Sequence, residues 1–228
     1  MSTIADNVSQ VDERIRAAAL AAQRDPSTIG LLAVSKTKPA AALREAFAAG
    51  LRDFGENYLQ EALSKQLELA DLPLCWHFIG PIQSNKTRAI AEHFAWVHSV
   101  DRLKIAQRLS EQRPAELPPL NICIQVNVSG EASKSGCTPD DLPALAAAIS
   151  ALPRLTLRGL MAIPEPTEDS AEQNAAFATV RHLQDSLNLP LDTLSMGMSH
   201  DLEAAIAQGA TWVRIGTALF GARDYGQP

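Results

Sequence analysis

The sequence predicts an α/β protein, a (β/α)8 TIM barrel with an additional N-terminal helix, built as a single domain. Eight short apolar runs alternate with Ala-, Leu- and Glu-rich segments of helical character along the 228 residues. Strands that alternate with helices form parallel sheets with right-handed crossovers, and eight such units in roughly 200 to 250 residues are typical of a closed barrel. A doubly wound open sheet is the alternative, but no GxGxxG motif follows the first strand.

The predicted elements follow one another in a regular order. Apolar residues at helical spacing predict a first helix over residues 4–24. The predicted strands are 30–35, 51–55, 74–80, 95–100, 120–128, 155–163, 191–197 and 211–216. The predicted helices between them are 39–49, 56–70, 101–113, 138–151, 170–188 and 199–208. The single domain 1–228 therefore divides into a helix and lead-in at 1–29, the barrel at 30–221 and a tail at 222–228.

The composition favours a cytoplasmic protein that binds neither nucleic acid nor membranes. The net charge of −6 provides no basic field for a polyanion. No run approaches 18 apolar residues, and the N-terminus lacks the apolar centre of a signal peptide. The three cysteines are an odd number without CxxC or Cys/His spacing, so neither a disulfide framework nor a metal site is predicted.

Polar side chains gather where the predicted strands end, which is where a parallel barrel forms its site. The residues at these ends are Lys36, Thr37, Glu56, Asn57, His77, 80–86, Ser99, Asp101, Asn127, Ser129, Met161, 195–199, Arg214, Gly216 and Thr217. The first strand runs from four apolar residues directly into Ser35 and Lys36. Lysine is rarely buried, so Lys36 either reaches solvent or supplies an amine that burial makes less firmly protonated.

Two strand ends have the features of an anion site. The stretch 195–205 (SMGMSHDLEAA) brings Ser199 to a predicted helix start as its N-cap, and 214–221 (RIGTALFG) places Gly216 and Thr217 at the start of a last short helix. Glycine permits close backbone approach, while hydroxyl and N–H groups at a helix start bind phosphate. The loops after strands seven and eight form the phosphate site of many barrels. Ordinary turns and caps are the alternative.

Arginine and histidine side chains are also expected inside the barrel. In TWVRIG, Val213 and Ile215 share one face, so Arg214 projects from the other face into the barrel mouth. A buried guanidinium needs a partner, which is either a ligand atom or a carboxylate such as Glu56. His77 lies within the apolar run LCWHFIG, where a lone histidine is more often a hydrogen-bonded core residue than a catalyst. The polar stretch 81–88 after it is predicted as a loop without the glycines of a P-loop.

The sequence resembles the family of pyridoxal phosphate homeostasis proteins. The matching segments occur in the family order from about residue 31 to residue 225 and are AVSKTKP, FGENYLQEA, WHFIGPIQSNK, HSVD, QVNVSGEASKSG, GLMAI and LSMGMSHDLEAAIAQGATWVRIGTALFGARDY. The resemblance implies a barrel like the N-terminal domain of alanine racemase. It also implies that the cofactor is pyridoxal 5′-phosphate (PLP).

The resemblance assigns cofactor-binding roles to particular residues. The matching positions are Lys36, Asn57, Met196, Ser199, Arg214, Gly216 and Thr217. Lys36 matches the lysine that forms the internal aldimine with PLP. Ser199, Gly216 and Thr217 match the phosphate cradle, and Arg214 matches the arginine near the pyridine nitrogen. Met196 and Asn57 match residues that line the ring pocket. Lys38 and Lys134 are either solvated lysines or transient carriers of PLP.

The function implied by the resemblance is PLP homeostasis, in which the protein holds and delivers the cofactor with little or no catalysis. Possible partners are PLP-dependent apoenzymes, and a monomer is expected. An arginine beside the ring nitrogen disfavours its protonation and weakens the electron sink that carbanion chemistry needs. A PLP-dependent racemase or related fold-type III enzyme is the first alternative, with Tyr58 and Tyr225 as its available tyrosines. The second is a cofactor-free aldolase that uses Lys36 on a phosphorylated sugar.

Overall fold

Eight parallel strands close into a barrel in the order of the chain. The structure is a computed structural model and describes residues 1–132 and 135–222. The strands are β1 (Gly30–Val34), β2 (Asp53–Glu56), β3 (Cys75–Phe78), β4 (Trp96–Val100), β5 (Leu120–Gln125), β6 (Leu155–Met161), β7 (Thr193–Ser195) and β8 (Trp212–Ile215). Each strand pairs with the next, and β8 closes the barrel against β1. The predicted (β/α)8 fold is therefore confirmed.

The helices surround the barrel and follow the strands in turn. Among the described residues the α-helices are α1 (Ile4–Ala21), α2 (Ala40–Ala48), α3 (Leu59–Glu68), α4 (Thr87–His93), α5 (Leu103–Gln112), α6 (Leu142–Ser150), α7 (Ser170–Ser186), α8 (Leu202–Ala207) and α9 (Thr217–Phe220). Short 3₁₀ turns lie at Pro26–Thr28 and Ser84–Lys86. None of the helices in the described part of the chain is long and apolar enough to cross a membrane.

The additional helix α1 begins with a capping box and packs one apolar stripe onto the barrel's outer layer. Thr3 Oγ1 accepts a hydrogen bond from the Asp6 backbone N–H, and the Asp6 carboxylate accepts one from the Thr3 N–H. The buried residues of α1 are Val8, Val11, Ile15 and Ala19. This stripe lies against α2, α8 and α9, so the helix supports the side of the barrel where β8 meets β1.

The sequence pattern misplaced two element boundaries near β2 and β3. The stretch 81–88 was predicted as a loop, but a 3₁₀ turn leads from it into α4. A seven-residue helix with only Ile90 and Ala91 as its buried apolar residues is too short to show a helical period. Glu56 belongs to β2, where it pairs with Phe78, and the helix predicted from residue 56 begins only at Leu59.

The interior of the barrel is aromatic at the end where the strands begin. Trp96, Cys123 and Met161 form a separate buried cluster with Trp212 packed against it. The His77 ring stacks on Trp96 with ring centroids 5.5 Å apart and meets the edge of Trp212 at 5.0 Å. Barrels are usually filled with layers of branched aliphatic side chains. Here the rings surround polar groups that extend toward the other end of the barrel, where the strands finish.

Candidate functional site

A cleft with a volume of about 210 Å³ opens at the carboxyl ends of β1, β7 and β8. Its lining residues are Val34, Lys36, Lys38, Met198, Ser199, His200, Arg214, Gly216, Thr217 and Gly221. Five of the residues singled out from the sequence therefore meet in this cleft, namely Lys36, Ser199, Arg214, Gly216 and Thr217.

Two other predicted residues lie outside this lining. Met196 is fully buried in the core, and Asn57 lines a neighbouring cleft together with Tyr58. The Oδ1 atom of Asn57 is buried and has no hydrogen-bond partner among the described residues. Their assignment to a ring pocket stays a prediction. Lys134 lies outside the described residues, and so does Tyr225 together with the rest of the tail from residue 223 on.

The end of β1 rests on a buried ammonium group. Lys65, from α3, donates from Nζ to the carbonyl oxygen of Ser35 at 2.7 Å and to Glu56 Oε1 at 2.7 Å. The Ser35 hydroxyl donates to the same carboxylate oxygen at 2.9 Å. Burial raises the pKa of Glu56, and the charge of Lys65 opposes that rise. The residue that precedes Lys36 is thus held by both backbone and side-chain hydrogen bonds.

The residue that follows Lys36 is held by the same cluster. Thr37 has a φ of +65°, a left-handed conformation that is uncommon for a threonine. Its backbone N–H donates to Glu61 Oε1 at 2.6 Å, and Lys65 Nζ donates to that oxygen at 2.6 Å. Sequence reasoning missed this support. The spacing of Glu61 and Lys65, four residues apart on one helix, was the signal available.

The loop after β7 requires glycine at one position. Gly197 has a φ of +99°, and a Cβ atom there would lie 2.6 Å from the Ala205 Cβ. The loop is closed by Asp201, whose Oδ1 accepts a hydrogen bond from the Met198 N–H at 2.6 Å. These contacts fix the backbone on either side of Met198, where it borders the cleft.

The prediction that Ser199 is the N-cap of the following helix is wrong. Helix α8 begins at Leu202, and Asp201 occupies the N-cap position. Both residue types favour that position, but here the Asp201 carboxylate is used by the loop rather than by the helix. Ser199 lies two residues earlier and lines the cleft. Its carbonyl oxygen accepts a hydrogen bond from Arg14 Nη2 of α1 at 2.9 Å.

Arg214 projects inward from β8, as the alternation of β8 predicts. It is only 4% exposed and donates from Nη1 to Ser195 Oγ at 2.9 Å and from Nη2 to the carbonyl oxygen of Ala162 at 3.0 Å. Burial lowers the pKa of Arg214 to about 10, so the guanidinium stays charged at neutral pH. The alternative partner, Glu56, is paired with Lys65 instead. The arginine therefore brings a buried positive charge to the cleft.

His77 is a hydrogen-bonded core residue, as expected. Its ring is completely buried, with Nε2 2.9 Å from Asp53 Oδ1 and Nδ1 2.9 Å from His98 Nε2. His98 in turn lies 2.7 Å from Ser195 Oγ through Nδ1. Sequence reasoning missed His98, because its partner belongs to β7, across the barrel from β4.

The cleft favours a ligand with negative charge. Lys36, Lys38 and Arg214 bring amine and guanidinium groups to its wall, and Ser199 and Thr217 bring hydroxyls. Lys38 also has a structural contact, since its Nζ lies 3.1 Å from the carbonyl oxygen of Ala222, just after α9. A lysine near the end of a helix interacts favourably with the last carbonyl groups.

The barrel, with a lysine at the end of β1 and an inward arginine on β8, belongs to the class defined by the alanine racemase N-terminal domain, whose family model matches residues 2–224. The pyridoxal phosphate homeostasis protein of Pseudomonas aeruginosa is 80% identical over 228 residues, which cover 100% of this chain and 99% of that protein. The Escherichia coli K12 protein of the same name is 55% identical over 235 residues, covering 99% of each chain. The chain belongs to the family of pyridoxal phosphate homeostasis proteins, as its motifs predicted.

Solved structures share the barrel fold. PipY of Synechococcus elongatus, solved with PLP bound, has a TM-score of 0.84 and 44% identity, and the match covers 96% of this chain and 100% of PipY. Alanine racemase of Corynebacterium glutamicum has a TM-score of 0.68 at 17% identity, covering 99% of this chain and 63% of the racemase. The second likeness concerns the fold alone.

Proposed function

We propose that this protein binds PLP in the cleft at the end of β1 and acts in PLP homeostasis, holding and delivering the cofactor with little or no catalysis. The observation that carries the proposal is that Lys36, Arg214, Ser199 and Thr217 line one cleft. The names of the relatives and the PLP-bound structure of PipY support it. The aldolase alternative has no such support.

The chemistry of the cleft fits PLP. When bound, PLP supplies an aldehyde that condenses with a primary amine and a pyridine ring that accepts electron density. The cofactor also carries a phosphate dianion, for which hydroxyl donors and nearby positive charges are suitable partners. Lys36 provides the amine, Ser199 and Thr217 provide the hydroxyls, and Arg214 is charged. The cleft thus provides an amine for the aldehyde and donors for the phosphate.

Each residue has a defined role in this proposal. Lys36 is the point of covalent attachment, held in place by the hydrogen bonds to Ser35 and Thr37 on either side. Ser199 and Thr217, with the backbone at Gly216, bind the phosphate. Met196 and Asn57 support the ring from outside the lining of the cleft.

Arg214 favours a protein that holds and delivers PLP over an enzyme that uses PLP to turn over amino acids. A guanidinium has only N–H donors and cannot accept a proton. Placed at the pyridine nitrogen, it holds that nitrogen as an unprotonated acceptor, which weakens the electron sink required by racemases. Tyr58, a tyrosine considered for a second acid or base, is 54% exposed and lines the neighbouring cleft. These features favour the holding and delivery of PLP over the racemase alternative.

The proposed setting is the cytoplasm, with PLP-dependent apoenzymes as recipients, no nucleic-acid or membrane partner, and a monomeric protein. Cys75, Cys123 and Cys137 are free thiols. Burial raises the pKa of Cys75 and Cys123 to about 12 and that of Cys137 to about 11. Thiols that remain protonated are inert, which suits a reducing compartment.

The test combines cofactor transfer with an assay of turnover. The PLP-loaded protein is incubated with a PLP-free apoenzyme, whose reactivation is followed, and separately with L-amino acids, whose enantiomers are quantified. We expect reactivation without measurable racemisation. The Lys36→Ala variant, treated with PLP and desalted in the same way, is the matched control and should not reactivate the apoenzyme. Racemisation on the order of 1 s⁻¹ or faster would overturn the carrier function.

A further inference from the structure

A chain of hydrogen bonds runs through the inside of the barrel and ends at Arg214. Its members are Asp53, His77, His98, Ser195 and Arg214, and successive contacts measure 2.9, 2.9, 2.7 and 2.9 Å. Asp53 is the first residue of β2, at the end of the barrel opposite the cleft. The hydrogen-bond chain therefore connects the two ends of the barrel through contiguous side-chain contacts.

The two terminal groups favour one direction of donation. Arg214 has no acceptor atom, so it must donate to Ser195 Oγ. The Ser195 hydroxyl is then available to donate to His98 Nδ1, His98 Nε2–H to His77 Nδ1, and His77 Nε2–H to the ionised Asp53 carboxylate, which only accepts. In this arrangement every link has one donor and one acceptor. Both rings are consequently neutral and carry their proton on Nε2.

Reversing the direction leaves unfavourable contacts. If His98 donated from Nδ1 to Ser195, the serine oxygen would receive two donors and its own proton would need another acceptor. His77 would then present a lone pair to the carboxylate of Asp53, unless it were an imidazolium. Burial opposes that charge and lowers the pKa of His77. It lowers the pKa of His98 further, with the interaction with His77 and then the positive charge of Arg214 as additional causes.

Aromatic packing holds the rings in the geometry that the chain needs. The His77 ring stacks on Trp96, with an angle of only 10° between the two ring planes, and makes an edge contact with Trp212. His98 and Ser195 are completely buried, so water does not compete with their contacts. A buried polar network in which every member is satisfied is rigid and specifies one arrangement.

We infer that Asp53, His77, His98 and Ser195 are positioning residues that fix Arg214 as a donor toward the cleft and thereby set how tightly PLP is retained. The inference rests on the proposed function, because it concerns the arginine expected at the pyridine nitrogen. It predicts that retention of PLP depends on a residue outside the cleft as well, namely the carboxylate of Asp53 at the opposite end of the barrel.

A metal site is the competing explanation for the contacts at the Asp53 end of the hydrogen-bond chain. The ligand atoms of Asp53, Cys75 and His77 all lie within 4.8 Å of one another. A metal would need the lone pair of His77 Nε2, whereas the inferred direction of donation places a proton on that atom, 2.9 Å from Asp53 Oδ1. It would also need the Cys75 sulfur as a thiolate, and burial raises the pKa of that thiol. These contacts favour the hydrogen-bond chain.

The first measurement uses the cofactor-free protein and is independent of PLP binding. Two-bond ¹H–¹⁵N correlation spectra distinguish the protonated from the unprotonated nitrogen of each histidine ring. His77 and His98 should both appear as neutral Nε2–H tautomers at neutral pH. Observation of an Nδ1–H tautomer or an imidazolium at either residue would overturn the proposed direction, and so would loss of the His77 Nε2 proton when zinc is added to one equivalent.

The second measurement compares the dissociation constant for PLP among variants. Ser195→Ala removes the contact next to the arginine and should weaken binding roughly tenfold, while Asp53→Ala should weaken it roughly threefold. Asp53→Asn keeps an acceptor oxygen and should restore binding to within about twofold of the parent. Ser110→Ala is the matched control. It removes an equally buried hydroxyl, which donates to the Pro153 carbonyl oxygen outside the chain, and should change affinity less than about twofold.

The outcomes separate this inference from the proposed function. If the parent binds no PLP, the proposed function fails, while the tautomers still test the direction of the chain. If the parent binds PLP and Ser195→Ala and Asp53→Ala bind it equally well, the positioning role is wrong. If Ser195→Ala fails to fold, the comparison of Asp53→Ala with Asp53→Asn still decides the question. The Asp53 side chain is 29% exposed at the end of the barrel, so its replacement should disturb folding less.

Discussion

Lys65 Nζ lies 2.7 Å from the carbonyl oxygen of Ser35, directly beneath the backbone that leads into Lys36. The ammonium group is only 6% exposed and also neutralises the fully buried carboxylate of Glu56. A charged group of α3 thus stabilises the strand end that carries the proposed attachment point. The same ammonium group therefore contributes to the stability of the barrel and fixes the backbone that leads to Lys36 in the cleft.

Replacing Lys65 with methionine should lower the free energy of unfolding by about 3 kcal/mol, because removal of one member of a buried ion pair leaves the other charge unpaired. Urea denaturation measures this loss. The double variant Lys65→Met/Glu56→Gln should lose less than the single variant, since it removes the stranded charge as well. Lys104→Met, on an exposed part of α5, is the control and should change stability by less than about 0.5 kcal/mol. A loss below about 1 kcal/mol for Lys65→Met would contradict the role assigned to this ammonium.

Ser199→Ala and Thr217→Ala should each weaken PLP binding roughly tenfold or more, because hydrogen bonds to a charged phosphate contribute about 1.5–3 kcal/mol each. Binding of pyridoxal, which lacks the phosphate, should hardly change in either variant. The comparison is made by titration followed in the visible absorbance of the bound cofactor. Thr179→Ala, which removes an exposed hydroxyl on α7, serves as the control. Equal affinity of the parent for PLP and pyridoxal would show that these hydroxyls bind no phosphate.

The neutral histidines inside the barrel predict a loss of stability in mild acid. Burial lowers the pKa of both His77 and His98 below the usual value of 6.5. As the pH falls through about 6.5, the unfolded chain takes up protons that the folded protein does not, so the free energy of unfolding decreases by up to about 1.4 kcal/mol per pH unit for each ring.

Urea denaturation at pH 7.5 and pH 5.5 tests this dependence. The parent should be less stable at the lower pH, and His200→Gln, which changes an exposed ring, should show the same loss. His98→Gln should lose less stability between the two pH values, because one of the two rings is absent. Equal stability of the parent at both pH values would mean that the two rings take up protons in the folded protein as readily as in the unfolded chain.

The sequence was sufficient for the features that depend on local patterns. Alternation in TWVRIG placed Arg214 inside the barrel, and the position of Lys36 after an apolar run placed it at the mouth. Contacts across the barrel are of a different kind. His98 and Ser195 are 97 residues apart and lie on strands that are not neighbours. No local period specifies such a pair, because the closure of the sheet brings it together.

Local patterns also failed where two positions had similar preferences. Ser199 and Asp201 are both good N-cap residues, but α8 begins only after Asp201, and the Asp201 carboxylate accepts a hydrogen bond from the Met198 N–H in the loop instead of capping the helix. Lys65 has the composition of a surface residue and is buried only because α3 lies against the end of β1. In each case the decisive partner belongs to another element or to a tight loop.

We propose that Lys36 is the residue to which PLP is attached. Mass spectrometry of the PLP-loaded protein after borohydride reduction and proteolysis locates the pyridoxyl group on a peptide. We expect the group on Lys36, its retention there in Lys38→Ala, and loss of visible absorbance in Lys36→Ala. A pyridoxyl group found on Lys38 or spread over surface lysines, with Lys36 unmodified, would contradict it.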